Sequence, residues 1–447
     1  MDRREFLKSV LLGNFALVLL TATALGTEKE WWDLFKKDSQ DKRPNIFIYV
    51  ADDQYIGSVG CYGASPSYTP NIDKLAEEGM LFTSAYTPSS ICSPNRGVLL
   101  SGQYPLKNGV HANHSGFFDG VKSLPNYMKE LGYRAVISGK DGIKKPSDLY
   151  EWEFRIEKTK KHVPGADEPR HDRHRVSDLA AIEAMVSADD DRPFCHFHAA
   201  SLPHKPELNK SLNGLEGYDA NNYYMDYELG QMLDILEKYG KTENTVVIYV
   251  NDNEAQLPRT KNSLYETGTK VPMVIRWPGV IGAGVTTDAK VSFIDFIPTF
   301  MEIAGGQAPE IVDGKSMLPV WKGETDVHHE ELYFSYTGVI VSKRRQETPY
   351  PTRAIRTERY RYIRNLNHTI PHPKRKILNP YEELYDLQAD PEELNNLAQN
   401  SDYDSIRGEL SGKIDDWMTR IGDKGIESEL ETLKKYPPYT KKKKNKK

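Results

Sequence analysis

Two apolar runs that end in acids constrain this chain most. Asn45-Ile46-Phe47-Ile48-Tyr49-Val50 leads into Ala51-Asp52-Asp53, and Thr245-Val246-Val247-Ile248-Tyr249-Val250 leads into Asn251-Asp252-Asn253. Continuous runs of this length, rich in β-branched residues, fit strands buried on both faces, the texture of a parallel sheet covered by helices. Open α/β sheets bind ligands beyond the carboxyl ends of their strands, where both acidic pairs fall. Helical patterns lie between the runs: 70–76, with Thr69 or Asn71 as N-cap; 124–131, closed by Gly132; and 226–239, with Leu229, Met232, Leu233 and Leu236 at helical spacing. Strand–helix alternation over 44–330 predicts a large doubly wound α/β sheet flanked by helices.

Past residue 330 the texture changes. Residues 353–365 alternate charged with apolar or aromatic side chains (Ile355, Tyr360, Tyr362, Ile363), the pattern of an antiparallel hairpin with a solvent face. A short strand over 383–387 and a helix over 403–421, packed onto that sheet, complete a smaller α+β domain at 331–430. A length of 447 residues suits one large domain plus a small one. The remaining 431–447 is a basic tail. Residues 434–447 carry eight lysines and no acid, and removing them takes the net charge from −5 to −13. Such a run is either a solvated tail or a polyanion-binding one. With so acidic a body, no nucleic-acid partner is expected.

The other end reads as an address. Arg3-Arg4-Glu5-Phe6-Leu7-Lys8, an apolar run to Leu25 and Ala22-Thr23-Ala24 as a cleavage site make 1–26 an export signal of twin-arginine type, with 27–43 as linker. An ordinary secretory signal or an uncleaved anchor is the alternative. In each case the chain leaves a bacterial-type cytoplasm, and a periplasmic or secreted location is expected. No other stretch approaches the ~20 apolar residues of a membrane span. The three cysteines imply no disulfide framework, leaving Cys61 with Cys195 as the one open pairing.

The third cysteine carries the chemistry. Cys92-Ser93-Pro94-Asn95-Arg96, followed by Gly97-Val98-Leu99-Leu100-Ser101-Gly102, resembles the Cys-x-Pro-x-Arg signature of the formylglycine-dependent sulfatases, which share the alkaline-phosphatase-like fold. Further matches span Pro44 to about Gln399: Asp52-Asp53, Ser138-Gly139-Lys140, Pro203-His204-Lys205-Pro206, Asp252-Asn253, Lys261, and Leu264-Tyr265-Glu266-Thr267-Gly268-Thr269-Lys270-Val271-Pro272. The resemblance implies that Cys92 is oxidised by a maturase to formylglycine, whose hydrate attacks the sulfur of a sulfate ester. It implies a Ca2+ held by Asp52, Asp53, Asp252, Asn253 and the residue at 92, with Arg96, Lys140 and Lys261 on the sulfate oxygens and His204 as general acid. The charges agree, because three clustered carboxylates without a cation would repel and raise one another's pKa. Spacing around Gln256-Leu257-Pro258 is similar to the heparan N-sulfatase-like branch and to bacterial relatives that desulfate algal or glycosaminoglycan saccharides.

One position departs from that pattern. The family usually has a histidine two residues after Lys140, and this chain has Gly142. His111 and His114, which follow the Cys92 helix, are the nearest imidazoles to replace it. A basic, histidine-rich stretch at 158–175 (His162, His171, His174) either lines the substrate cleft or is a solvated insertion. Two other readings stand beside the sulfatase one. A phosphatase or phosphonate hydrolase would use the same scaffold, and a catalytically degenerate sulfated-glycan-binding protein is motivated by Gly142 and the lysine tail.

Overall fold

The computed structural model describes residues 43–140, 143, 151–166, 174–337, 351–366 and 381–435. Residues 1–42, which hold the expected export signal and linker, together with Gly142, His171 and most of the lysine tail, lie outside them. The first apolar run forms β1 (Asn45–Asp52) and the second forms β6 (Thr245–Asn251), every residue of both buried. They pair in parallel with Ala51 opposite Asn251, so Asp52 and Asp252 leave neighbouring strands at the same edge.

Around this pair lie β2 (Met80–Phe82), β3 (Arg134–Gly139), β4 (Phe154–Ile156), β5 (Phe194–Pro203), β7 (Met273–Arg276) and β8 (Val285–Thr287). The sheet runs β8-β2-β7-β6-β1-β5-β3-β4, and β7 alone is antiparallel to its neighbours. Side chains alternate across it. Ile46, Ile48 and Val50 join one apolar cluster, while Phe47, Tyr49 and Ala51 join another on the opposite face. Helices α2 (Cys92–Ser101), α3 (Leu124–Glu130) and α6 (Phe296–Ile303) cover the first face; α1 (Pro70–Glu77), α4 (Leu179–Val186) and α5 (Gly217–Lys238) cover the second. This is the doubly wound α/β architecture that the alternation predicts. Cys61 and Cys195 pack in opposite clusters and both are free, so the open pairing does not form.

Two helices differ from their sequence patterns. The N-terminus of α1 is not capped by the Thr69 side chain or by Asn71. Asp226 from α5 accepts instead from the backbone N–H groups of Asn71 (3.0 Å) and Ile72 (2.9 Å), and from Asn71 Nδ2 (2.8 Å). Helix α5 begins at Gly217 rather than at 226. Its first turns bury Asn221 and Asn222, which bond to loops, so apolar spacing does not announce them.

Beyond 330, β9 (Leu332–Tyr336), β10 (Thr352–Arg356), β11 (Tyr360–Asn365) and β12 (Glu382–Asp386) form an antiparallel sheet in chain order. Helix α7 (Asp404–Ile421) lies on β10 and β11 through Leu410, Ile414, Trp417 and Ile421. The hairpin does not have the solvent face that its charges suggest. Arg353 and Arg361 are fully buried, Arg353 on Asp423 and Glu429, Arg361 on Glu266 and Glu393. Glu429 belongs to a further helix, α8 (Ile426–Lys435), which reaches into the span read as tail.

Candidate active site

The site stands where β1 and β6 end. Asp53 takes a left-handed backbone (φ 62°) immediately past β1, a conformation costing a non-glycine residue about 1 kcal/mol and concentrated at functional sites. Its backbone N–H donates to Asp252 Oδ1 at 3.2 Å, which ties the two strand ends together. Helix α2 starts at Cys92 and is buried along all ten residues. Gly97 permits this, since a Cβ there would stand 2.7 Å from Val110 Cβ. Asn95 locks the first turn: its Nδ2 donates to the Ser89 and Asp252 carbonyls, and its Oδ1 accepts from Ser89 N–H.

The fold brings nine of the sequence-selected residues together. Cys92 Sγ lies 3.7 Å from Asp53 Oδ1 and 3.1 Å from Lys261 Nζ, and Lys261 also pairs with Asp53. Asn253 Nδ2 donates to Asp53 Oδ1 at 2.8 Å. Lys140 pairs with Asp52, while Arg96 donates Nε–H to Asp252 Oδ2 at 2.9 Å and holds Nη2 3.9 Å from Asp52 Oδ1. His204 Nδ1 faces the Lys205 carbonyl at 2.6 Å, and its Nε2 faces Asp53 Oδ2 at 3.3 Å. With Nδ1–H donated to the carbonyl, Nε2 is the ring nitrogen turned towards Asp53.

Burial and charge oppose each other here. Burial acts to raise the Asp52 carboxyl, but Lys140, Arg96, His204 and Lys261 outweigh it and hold it well below the carboxylate range. Asp252 goes the other way: burial pushes it up to about 7, with Asp52 and Asp53 adding to the rise against Arg96 and Lys140. The Cys92 thiol is pushed up to about 12 by burial despite both lysines. The thiol is therefore a poor nucleophile as it stands.

A cation fits this centre. Asp52, Asp53, Cys92 and His204 each present an atom within 4.8 Å of the others, and the buried Oδ1 of Asn253 has no hydrogen-bond donor. Arg96 Nη2 is likewise buried with no acceptor. A cation would take the first orphan and an oxyanion the second.

The two imidazoles offered in place of the missing one follow the Cys92 helix closely in the fold. His111 is buried with its ring beside Phe118 (6.4 Å between centroids), and its carbonyl accepts from Thr337. His114 is exposed, and its backbone N–H donates to Ser93 Oγ. Of the described parts of the 158–175 stretch, Lys158 Nζ donates to Ser201 Oγ at 2.6 Å and His174 Nε2 meets the Pro206 carbonyl at 2.8 Å, on either side of His204.

Sequence reasoning missed a buried layer beneath the site, where Ser138 Oγ bonds both His196 and His198, and His198 Nε2 faces Glu228 at 3.3 Å. It also missed the cavity beside the site, of about 280 Å³, lined by Asp53, His204, Tyr55, Lys205, Glu207 and Tyr218 among others. No periodicity marks these residues, because the loops after β1 and β5 and the first turn of α5 supply them.

A doubly wound sheet with an acid–cation cluster at its carboxyl edge suits an enzyme that hydrolyses anionic esters. The sulfatase family model matches residues 44–306, and the C-terminal model of N-sulphoglucosamine sulphohydrolase matches 259–420. An ulvan-active sulfatase of Formosa agariphila is 36% identical, the match covering 87% of this chain and 83% of that one. An N-acetylglucosamine-6-O-sulfatase of Bacteroides thetaiotaomicron is 23% identical over 93% of each. A structure solved with its substrate D-glucosamine-2-N,6-O-disulfate shares the fold at a TM-score of 0.69 and 20% identity, covering 86% of this chain and 99% of that one. The chain belongs to the sulfatase family and is a sulfuric ester hydrolase. That family generally uses a formylglycine and a divalent metal.

Proposed function

We propose that this protein hydrolyses sulfate esters on a fragment of an algal polysaccharide or a related sulfated glycan, with formylglycine at position 92 and Ca2+ beside it. The observation that carries the reading is the convergence of Cys92, Asp53, Asn253 and Lys261 at one strand edge, with Arg96 and Lys140 on the adjoining carboxylates. In the described structure Cys92 Sγ stands in for an oxygen of the hydrated formylglycine. Asp52, Asp53, Asp252 and Asn253 would hold the Ca2+, which would supply positive charge beside the nucleophilic oxygen that the hydrate would provide.

The chain's own residues do the rest. Asp52 stays ionised at any working pH and so offers a hard oxygen ligand. With a cation neutralising Asp52 and Asp53, Lys140 and Lys261 would be free to donate to sulfate oxygens, and Arg96 would add its unused Nη2–H. His204 holds a proton at Nε2 on the edge of the cavity and delivers it to the leaving sugar oxygen. The cavity suits about one sugar unit. Half-exposed Tyr55 offers an apolar ring face, and Lys205 and Glu207 offer polar partners for hydroxyl or acidic groups. The name of the 36% identical relative supports an algal polysaccharide as source. Export through the twin-arginine route requires the maturase to act on Cys92 in the cytoplasm, before a folded enzyme crosses to the periplasm.

The test is the mass of the Cys92 peptide from protein purified from its native host, paired with sulfate release from sulfated oligosaccharides in Ca2+. A loss of ~18 Da, the oxidation of the thiol to an aldehyde, together with sulfate release is the expected result. An unmodified thiol in mature protein, or a modified one that binds glycan and releases no sulfate, overturns the proposal.

A further inference from the structure

A second group of ligand-type side chains lies outside the site above. Asp295 ends the turn that opens α6 and is fully buried, its carboxylate accepting from Ser292 N–H (2.8 Å) and Lys315 N–H (3.1 Å). From the segment leading into β9, His329 brings Nε2 to 2.9 Å from both carboxylate oxygens, and His328 brings Nε2 to 3.3 Å from Oδ2. The two rings cross at 74° with centroids 4.5 Å apart, so both point their Nε2 atoms at one spot. One ligand atom from each of the three residues falls within 4.8 Å of the other two.

His328 supplies the independent observation. It is only 6% exposed, and its Nε2, though aimed at the carboxylate, makes no hydrogen bond of acceptable geometry. A buried imidazole nitrogen without a partner is costly, and a metal ion is one of its standard satisfactions. The spacing is within reach. Bonds of about 2.0–2.1 Å in a tetrahedron separate ligand atoms by about 3.3 Å, the distance from His328 Nε2 to Asp295 Oδ2, while His329, hydrogen-bonded to the carboxylate at 2.9 Å, would draw back by a few tenths of an ångström. His329 is partly exposed, which leaves room for water as a fourth ligand.

We infer that Asp295, His328 and His329 form a second metal site that takes a divalent transition ion of the Zn2+ class. Two imidazoles and one carboxylate favour such ions over the hard Ca2+ suited to the oxygen-rich centre at Asp52 and Asp53. The ion would fasten the start of α6 and the Lys315 turn to the segment entering the C-terminal sheet, giving the site a structural role.

The inference is tested on full-length protein stripped with EDTA and then saturated with Ca2+, so that the oxygen-rich centre is filled before Co2+ is titrated. The wild type is expected to bind one equivalent of Co2+ with visible ligand-field bands, and His328→Gln and His329→Gln to lose both the equivalent and the bands. Absence of Co2+ uptake by the wild type, or equal uptake by folded variants, overturns the assignment. Should the variants fail to fold, Zn K-edge absorption of the Ca2+-saturated wild type decides. Two imidazole nitrogens at about 2.0–2.1 Å uphold the site, and any shell without two imidazoles refutes it.

Discussion

If the proposed cation is held in part by Asp252, the protonation of this carboxyl would set how readily it enters. Its ordinary pKa is 3.8 and burial pushes it up to about 7. Between those values the metal-free fold retains a proton that the unfolded chain has released, so metal-free stability falls as pH rises through that window. A bound cation favours the carboxylate and removes the penalty. The Ca2+-induced rise in Tm is therefore expected to be larger at pH 8 than at pH 5.5. Apparent Ca2+ affinity should weaken by about tenfold per pH unit below 7, as one proton competes with the ion. Calorimetric scans with and without Ca2+ at both pH values check this, and an equal increment at both would refute it. His204 permits a second, chemical prediction. An alkoxide leaving from a sugar needs a proton, whereas a nitrophenolate does not. His204→Ala should lower kcat on a sulfated saccharide by about 10²- to 10⁴-fold and lower turnover of nitrophenyl sulfate far less. Equal losses on both substrates would make His204 a binding residue instead. Both predictions rest on residues legible in sequence, because strand ends and short motifs fix them locally. The buried Ser138–His198–Glu228 layer was not legible, since its members come from β3, β5 and α5 and meet only across the folded sheet.

Elements in this protein are terminated and seated by distant polar groups as much as by their own sequences. Helix α1 shows the consequence most simply. Thr69 stands at its N-cap position and makes no side-chain cap bond, while Asp226, 155 residues from Asn71, accepts from the first turn. Removing a cap costs about 1 kcal/mol, and leaving buried donors unsatisfied adds about 1–3 kcal/mol. Asp226→Ala should therefore destabilise the fold by roughly 2–4 kcal/mol, read as a lowered urea midpoint, while Thr69→Ala should cost the capping function little. Buried Thr69 Oγ1 serves the preceding turn, accepting from Gly60 N–H at 2.9 Å, so an Asp226→Ala midpoint equal to that of wild type is the result that would overturn this account of the helix start. The hairpin β10–β11 teaches the same lesson from the other side. Its alternation correctly marked two antiparallel strands, but alternation states which residues share a face and not whether that face meets water. Arg353 and Arg361 turn inward because Asp423, Glu429, Glu266 and Glu393 wait there, on elements that a local window does not see.

At the scale of the whole molecule, the two long buried runs read as central strands are β1 and β6, paired in the middle of the sheet. Strands as short as β2 and β8, three residues each, carry too little periodicity to be placed from sequence. The Asp295–His328–His329 group escaped for a related reason, as an adjacent histidine pair means nothing until the fold sets a buried acid against it. Charge, by contrast, is legible without any fold. The body is strongly acidic once the eight lysines of 434–447 are set aside, at −13 against −5 for the whole chain. An acidic enzyme acting on a polysulfated chain works against its own field, and a cationic segment tethered to it raises the local concentration of such a polymer. Deleting 437–447 spares α8 and removes six of those lysines. This truncation should raise KM for a polymeric sulfated glycan by about three- to tenfold at low ionic strength and leave kcat unchanged. The difference should fade as salt shortens the Debye length towards about 3 Å near 1 M. A singly sulfated monosaccharide, too small to touch tail and cavity together, should show no change. If KM for the monosaccharide rises as well, the segment acts on the active site itself rather than as an electrostatic tether.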